Sequence, residues 1–405
     1  MNRGGGEMNT GMVKSKASGL ALMGKVLVGV MVLAAGMMPR LAEATITDFE
    51  FRQFITTLCG GAPQPGWDTV SLNAMCTDAA PGFIGSGGAA SANVGTSNAS
   101  GGLTLKKKKG AYDSKEPSVV GASADGGGWG VLVTPQYGKT SRAETDWENG
   151  YQSDLKGLVL GLDYRFSDTL ILGMALGQTK DNANFLNSAG SLKSSSNTAT
   201  VYSTWMVSEN SSIDGYIGYG AISLDSRRQV NFGLISGMTG GATSGRQILA
   251  GMSASYQAEL GRAVVAPFIN LDYITTKIDG YSETGSTTME LRFAERKAIS
   301  FTSSLGTRLG SSYGYKWGTL LPSISLAAVH EFQNKSKQIN NELVSTPGYG
   351  FSVTTDSPDR NYLNIGLGMA AALNGGAQLF LDYEKRTQDK LLSSWAVSLG
   401  GLFEF

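Results

Sequence analysis

The sequence predicts an all-β protein: a transmembrane antiparallel β-barrel of about twelve strands, preceded by a short N-terminal segment. Three observations point there. The last stretch, 393–405, alternates: Trp395, Val397, Leu399, Gly401, Phe403 and Phe405 share one face, and Ser394, Ala396, Ser398, Gly400, Leu402 and Glu404 share the other, as in a two-faced strand. The same period recurs from residue 128 onward. The charged share is 16% and there are 55 glycines, against roughly 25% charged and about 7% Gly in ordinary soluble domains. Lipid offers no partner to an open sheet edge, so strands with an apolar outer face and aromatic ends must close on themselves.

In chain order, Arg3, Lys14, Lys16 and Lys25 precede an apolar run over 26–38. Pro39 and the small residues Ala42 and Ala44 follow. This reads as a secretory signal peptide over 1–44, cut after Ala44, because the run is shorter than the roughly 20 residues of a membrane-spanning helix.

Residues 45–127 form a short passenger or linker segment without a strong period. Phe49, Phe51, Phe54, Ile55 and Leu58 make an apolar patch, and Cys59 and Cys76 are the only cysteines. An oxidising compartment pairs them, a closure worth roughly 3 kcal/mol in the chain-entropy model. Residues 82–102 are small and polar, readable as a flexible linker or, over 89–100, as a slender segment threading the barrel. The basic run 106–109 is expected to be solvated.

The barrel occupies 128–405. Trp129, Val131, Val133, Pro135 and Tyr137 share a face, as do Leu158, Leu160, Leu162, Tyr164 and Phe166. Further outward sets are Ile248 to Tyr256, Val265 to Tyr273, Leu363 to Leu373 and Leu379 to Tyr383, each counted by twos. The facing sets place Asp163, Arg165, Asp272, Arg308, Asp382, Glu384 and Arg386 toward the lumen, as ion pairs holding a plug or as the lining of a wet path. Connections alternate between tight (167–168, 209–210, 259–261, 374–376) and long (139–154, 181–193, 227–244, 277–297, 333–360), the pattern of short periplasmic turns and long external loops.

Gly127-Gly128-Trp129-Gly130, Tyr137-Gly138, Gly161-Leu162-Asp163-Tyr164-Arg165-Phe166, Ile213-Asp214-Gly215-Tyr216, Asp272-Tyr273, Tyr281 to Gly285, Leu305 to Leu309, His330-Glu331-Phe332 and the terminal Phe405 together resemble the autotransporter β-domain family. That resemblance implies a twelve-stranded barrel with a helix or linker in its lumen. It also implies an N-terminal passenger carried to the cell surface, and insertion by the outer-membrane assembly machinery with periplasmic chaperones. Trp395, Phe403 and Phe405 would form the assembly signal. Some family members cleave themselves at a lumenal Asn, for which Asn93 and Asn98 are the positions here.

The formal net charge of +0 argues against nucleic acid as a partner. The single histidine, His330, lies outside the passenger, so a Ser-His-Asp hydrolase is not expected. No catalytic residue, metal site or cofactor motif stands out. The expected function is an outer-membrane barrel of a Gram-negative bacterium, in contact with lipid, that translocates or anchors a short segment at the surface. A porin-like barrel with an N-terminal plug and a loop-mediated adhesin are the alternatives.

Overall fold

In the computed structural model, the described residues are 128–404, except 146–148, 233–234, 262, 334, 336–337, 358 and 375–376, together with Phe54, Leu58 and Asp68. Ala42, Ala44, Cys59, Cys76, Phe405 and residues 89–100 lie outside them.

Twelve long strands form the barrel: β1 (Gly128–Arg142), β2 (Tyr151–Arg165), β3 (Leu170–Phe185), β4 (Gly190–Ser208), β5 (Ser211–Phe232), β6 (Ile235–Tyr256), β7 (Ala263–Ile278), β8 (Arg296–Ser311), β9 (Gly318–Glu331), β10 (Asn361–Leu373), β11 (Ala377–Thr387) and β12 (Leu392–Glu404). Each pairs antiparallel with its neighbours in sequence, and β1 pairs with β12 from Gly130↔Glu404 to Arg142↔Leu392, which closes the ring. A peptide group at an open edge would face hydrocarbon unpaired; here the first strand supplies the last with its partners.

The outer face is apolar and exposed: Leu158, Leu160, Leu162, Met174, Leu176, Ile217, Met252, Leu367 and Leu399 all point away from the ring. Aromatic residues bracket this band. At the short-turn end Tyr164 packs between Trp129 and Phe166, with ring centroids 5.0 and 4.9 Å apart. Toward the other end Trp395 packs on Tyr137 at 5.7 Å and on Tyr383 at 6.2 Å, and Phe301 on Tyr273 and Phe332. At roughly 3.3 Å per residue and a tilt of about 40°, the rise from Trp129 to Tyr137 is about 20 Å, near the ~25 Å apolar band of a barrel.

Three connections expected to be long are shortened by strand. Residues 139–154 belong to β1 and β2 apart from 143–150, the β3–β4 link is a short turn around Leu186–Ser188, and 227–244 is almost wholly the paired end of β5 and β6. The reason is physical. Above the lipid the outer face no longer has to be apolar, so the hydrophobic period fades while backbone pairing continues through Ser, Thr, Asn and Gly. The β5–β6 hairpin therefore rises past its neighbour: β6 pairs β7 only over Gly245 to Ser255, leaving 235–244 above the rim.

Inside the barrel, tyrosines lie across glycines to reach carboxylates two strands away. Asp163, Gly173 and Tyr202 are directly opposed on β2, β3 and β4, and the Tyr202 hydroxyl donates to Asp163 Oδ2 at 3.1 Å. On the far side of the β4–β5 pair the order reverses. Tyr216, Gly251 and Asp272 are opposed on β5, β6 and β7, with Tyr216 donating to Asp272 Oδ1 at 2.7 Å. A Cβ on Gly173 would stand 2.3 Å from Tyr202 Cζ, and one on Gly251 2.3 Å from Tyr216 Cε1. The missing side chain is what lets the ring lie flat, an aromatic cover over a strand glycine. Gly173→Ala is therefore expected to lower barrel stability by about 1–3 kcal/mol in urea unfolding. In a Tyr202→Ala background the same change should cost no more than ~0.5 kcal/mol.

Candidate functional site

The lumen and the structure over its long-loop end are the places where this barrel can do something beyond spanning a membrane. Asp163, Arg165, Asp272, Arg308, Asp382, Glu384 and Arg386 all fall on strand positions that alternate with the exposed apolar ones. They do not form one cluster. Asp163 and Asp272 serve the two tyrosine bridges, and Asp382 lies over Gly368, whose Cβ would meet Asp382 Oδ1 at 2.7 Å. Glu384 accepts from Asn364 Nδ2 at 3.0 Å. Arg386 sits 3.5 Å above the Tyr362 ring and pairs with Asp389 in the β11–β12 connection. Asp214 accepts from Thr204 at 2.9 Å and from Ser253 at 3.1 Å. Asp163, Asp272, Asp214 and Glu384 are thus engaged with neighbouring strands of the wall, and Arg386 with the connection above it.

Of the expected assembly-signal residues, Trp395 stands in the aromatic cluster with Tyr137 and Tyr383, and Phe403 is exposed on the outer face near the short-turn end. His330 has Nδ1 2.7 Å from Asn361 Oδ1 and its ring edge-on to Phe332.

Higher up, the wall changes character. Tyr151, Ala183, Leu192, Ile222, Leu224 and Ile278, from β2 to β7, form a buried apolar cluster on the lumen side of the long-loop end. Above them the connections fold into a cap. Gly350–Thr354, Gln338–Leu343, Leu291–Phe293 and Tyr281–Ser282 form a four-stranded antiparallel sheet. Thr284–Gly285 pairs with Gly240 and Thr239 on the raised hairpin. The cap has its own core: Val230 from the hairpin, Met289, Leu291 and Phe293 from the β7–β8 connection, and Ile339 and Leu343 from the β9–β10 connection.

Phe54 and Leu58 complete that core. Both are helical, at 8% and 1% exposure, and Phe54 packs on Phe351 with centroids 4.7 Å apart and on Tyr349 at 5.6 Å. The Asp68 backbone N–H donates to Ser345 O at 2.8 Å. Sequence reasoning registered the apolar patch but not its period. Phe51, Phe54, Ile55 and Leu58 recur at intervals of three, one and three, the stripe of one helix face, and that was the available signal.

Two ion pairs, one buried and one half-buried, hold the structure at this end. Arg228 on β5 donates to Glu283 through Nε at 3.0 Å and Nη2 at 2.5 Å, and also to Met289 O at 2.8 Å. Glu283 accepts the Leu291 N–H at 2.9 Å as well. The pair is almost wholly removed from solvent, so its favourable geometry offsets a large desolvation cost. Arg142 at the top of β1 pairs with Asp356 at 2.5 Å, and Thr145 donates to the same oxygen at 2.6 Å, tying the β1–β2 and β9–β10 connections together. Tyr281 shares a hydrogen bond with Ser226 at 3.2 Å, and burial pushes its phenol above the ordinary value, with the Ser226 bond opposing.

Comparison with known proteins adds a family and a set of folds. The family model described as "Autotransporter beta-domain" matches residues 131–384. "Lipase 1" of Photorhabdus luminescens is 24% identical over 249 residues, covering 60% of this chain but 37% of that protein. The chain thus matches little more than a third of that relative's length. Among solved structures, the translocator domain of the autotransporter NalP from Neisseria meningitidis aligns with TM-score 0.60 at 12% identity, over 80% of this chain and 99% of that one. The β-domain of the Bordetella autotransporter BrkA aligns with TM-score 0.52 at 16% identity, over 69% and 100%. At such identities the structures speak for the fold alone.

Removing one partner of the Arg228–Glu283 pair leaves a buried charge uncompensated, at a cost of about 3–5 kcal/mol. Glu283→Ala is therefore expected to open the cap while the barrel stays closed. Added protease should cut within 279–295, and the barrel should keep its heat-dependent shift in gel migration. The apolar double replacement Arg228→Met with Glu283→Leu should restore part of the resistance, the remainder lost with the partners of Met289 O and the Leu291 N–H.

Proposed function

The chain belongs to the autotransporter β-domain family, whose members form β-barrels of the Gram-negative outer membrane that serve secretion, and we propose that this barrel carries its own N-terminal segment through the lumen and holds it against the external cap. One observation carries the reading: Phe54 and Leu58 are buried in the cap core, whereas Gly128 begins β1 at the opposite, short-turn end. Chain joining those two ends cannot run through hydrocarbon as irregular backbone. The lumen is the available route.

On this reading the stretch that threads the barrel includes 89–100, and the small side chains of 82–102 suit a narrow passage. The polar wall described above, already internally bonded, gives such a chain a surface that neither traps nor repels it. Without a nucleotide motif in the sequence, the driving force is folding at the far side. Burying Phe54 and Leu58 among the cap's apolar side chains contributes roughly 1.5–3 kcal/mol each, and each such contact opposes return.

The assembly machinery and periplasmic chaperones are the expected partners, with Trp395, Phe403 and Phe405 as the signal they read. The signal cleavage after Ala44 and the Cys59–Cys76 bridge belong to the same reading. The barrel is a non-catalytic transporter domain. The name of the lipase relative describes that protein; here 45–127 contains no histidine, so a Ser-His pair has no base in the segment. The rival account is a plugged channel whose segment arrives at the cap without being displayed.

An epitope tag inserted after Ala44 tests this. The tag should be removed from intact cells by a protease that cannot enter the periplasm. Phe54→Asp with Leu58→Asp should increase the amount of segment accessible or released. A tag that survives until the outer membrane is opened contradicts display at the surface.

A further inference from the structure

The outer surface of the barrel carries a feature that secretion does not require. Arg246 on β6, Lys277 on β7 and Lys297 on β8 are directly opposed across three adjacent strands, all on the face that carries the apolar band. Opposed residues of neighbouring antiparallel strands have Cα atoms about 4.5–5.5 Å apart, and like charges placed so are destabilising. Lys277 is partly relieved by Glu295, 2.7 Å away. Among the described residues Arg246 and Lys297, both exposed, have no ion-pair partner. The other nearby acid, Asp279, accepts from Ser244 Oγ at 2.9 Å.

The height of the triad explains what could neutralise it. The next outward register toward the membrane is Ile248, Thr275 and Ile299, and the one after is Ala250, Tyr273 and Phe301. The cations thus stand just above an aromatic pair that marks the edge of the apolar band, at the long-loop end. Lys156 and Lys180, opposed on β2 and β3 and likewise exposed, repeat the arrangement elsewhere on the wall. A soluble anion would meet these side chains only transiently, whereas an anionic lipid headgroup is held at that height by its own acyl chains.

We propose that Arg246, Lys277 and Lys297 bind the phosphate groups of a phosphorylated glycolipid in the outer leaflet, with its acyl chains lying along Ile248, Ile299 and the Tyr273–Phe301 pair. Arg246 and Lys297 lie two strand spacings apart, about 10 Å, far enough to engage two phosphates on one headgroup, with Lys277 between them. Such a lipid would brace β6 to β8, the strands beneath the raised hairpin.

The test uses the full chain folded in detergent, titrated with a bis-phosphorylated glucosamine-disaccharide lipid, its dephosphorylated form, and inorganic phosphate. The phosphorylated lipid should bind, and Arg246→Gln with Lys297→Gln should weaken it roughly twenty-five-fold, the product of about fivefold for each basic side chain at a charged lipid surface. Lys335→Gln with Lys390→Gln, an equal charge change on the external connections, should leave the affinity unaltered. Heat-dependent gel migration verifies that each variant is folded. Equal binding of the dephosphorylated lipid, equal binding of inorganic phosphate, an unchanged affinity in the Arg246/Lys297 variant, or the same loss in the Lys335/Lys390 variant would each overturn the proposal.

Discussion

A peptide group left unpaired in hydrocarbon costs several kcal/mol, and the rest of this molecule depends on how that cost is avoided. The β1–β12 ladder removes the last open edge. Once the sheet is a ring, its outer face must be apolar and its inner face is free to be polar, and the alternation along every strand follows. Closure also creates an interior, and interior space has to be filled or lined. The Tyr202–Asp163 and Tyr216–Asp272 bridges do the lining at the level of the lipid, each one spanning a glycine strand so that the ring lies against the wall and does not project across the lumen.

At the long-loop end the same ring is finished differently. The constraint of lipid ends there, so β5 and β6 continue into water and become a support for folded connections. The cap is a small structure in its own right, with an apolar core, a four-stranded sheet and a buried Arg228–Glu283 pair. Its core is completed by two side chains from the N-terminal segment. A cap that needs Phe54 and Leu58 to fill its interior couples the arrival of the segment to the ordering of the connections, which gives translocation an endpoint as well as a route.

The strands through lipid were legible in the sequence because each outward position there must be apolar: Leu158, Leu160 and Leu162, or Ile365, Leu367 and Met369, alternate without interruption. The strand extensions at 227–244 were not, since small polar residues above the membrane carry no contrast between faces. Inward charges were legible as positions; the partners of Asp163 and Asp272 were not, because Tyr202 and Tyr216 reach them across an intervening strand and only the register reveals it. The cap escaped entirely. Val230, Met289, Leu291, Ile339 and Leu343 lie in segments read as external loops, and no local period announces that they meet.

The measurement that bears most directly on the account is a photo-crosslinker placed at position 54 in living cells, with the crosslinked peptides identified by mass spectrometry. Crosslinks from position 54 to 281–293 or 339–351 of the same chain, formed in intact cells and abolished by Glu283→Ala, are the predicted result. Crosslinks to periplasmic proteins, with none to those connections, would contradict the claim that the segment crosses the barrel and docks in the core of the cap.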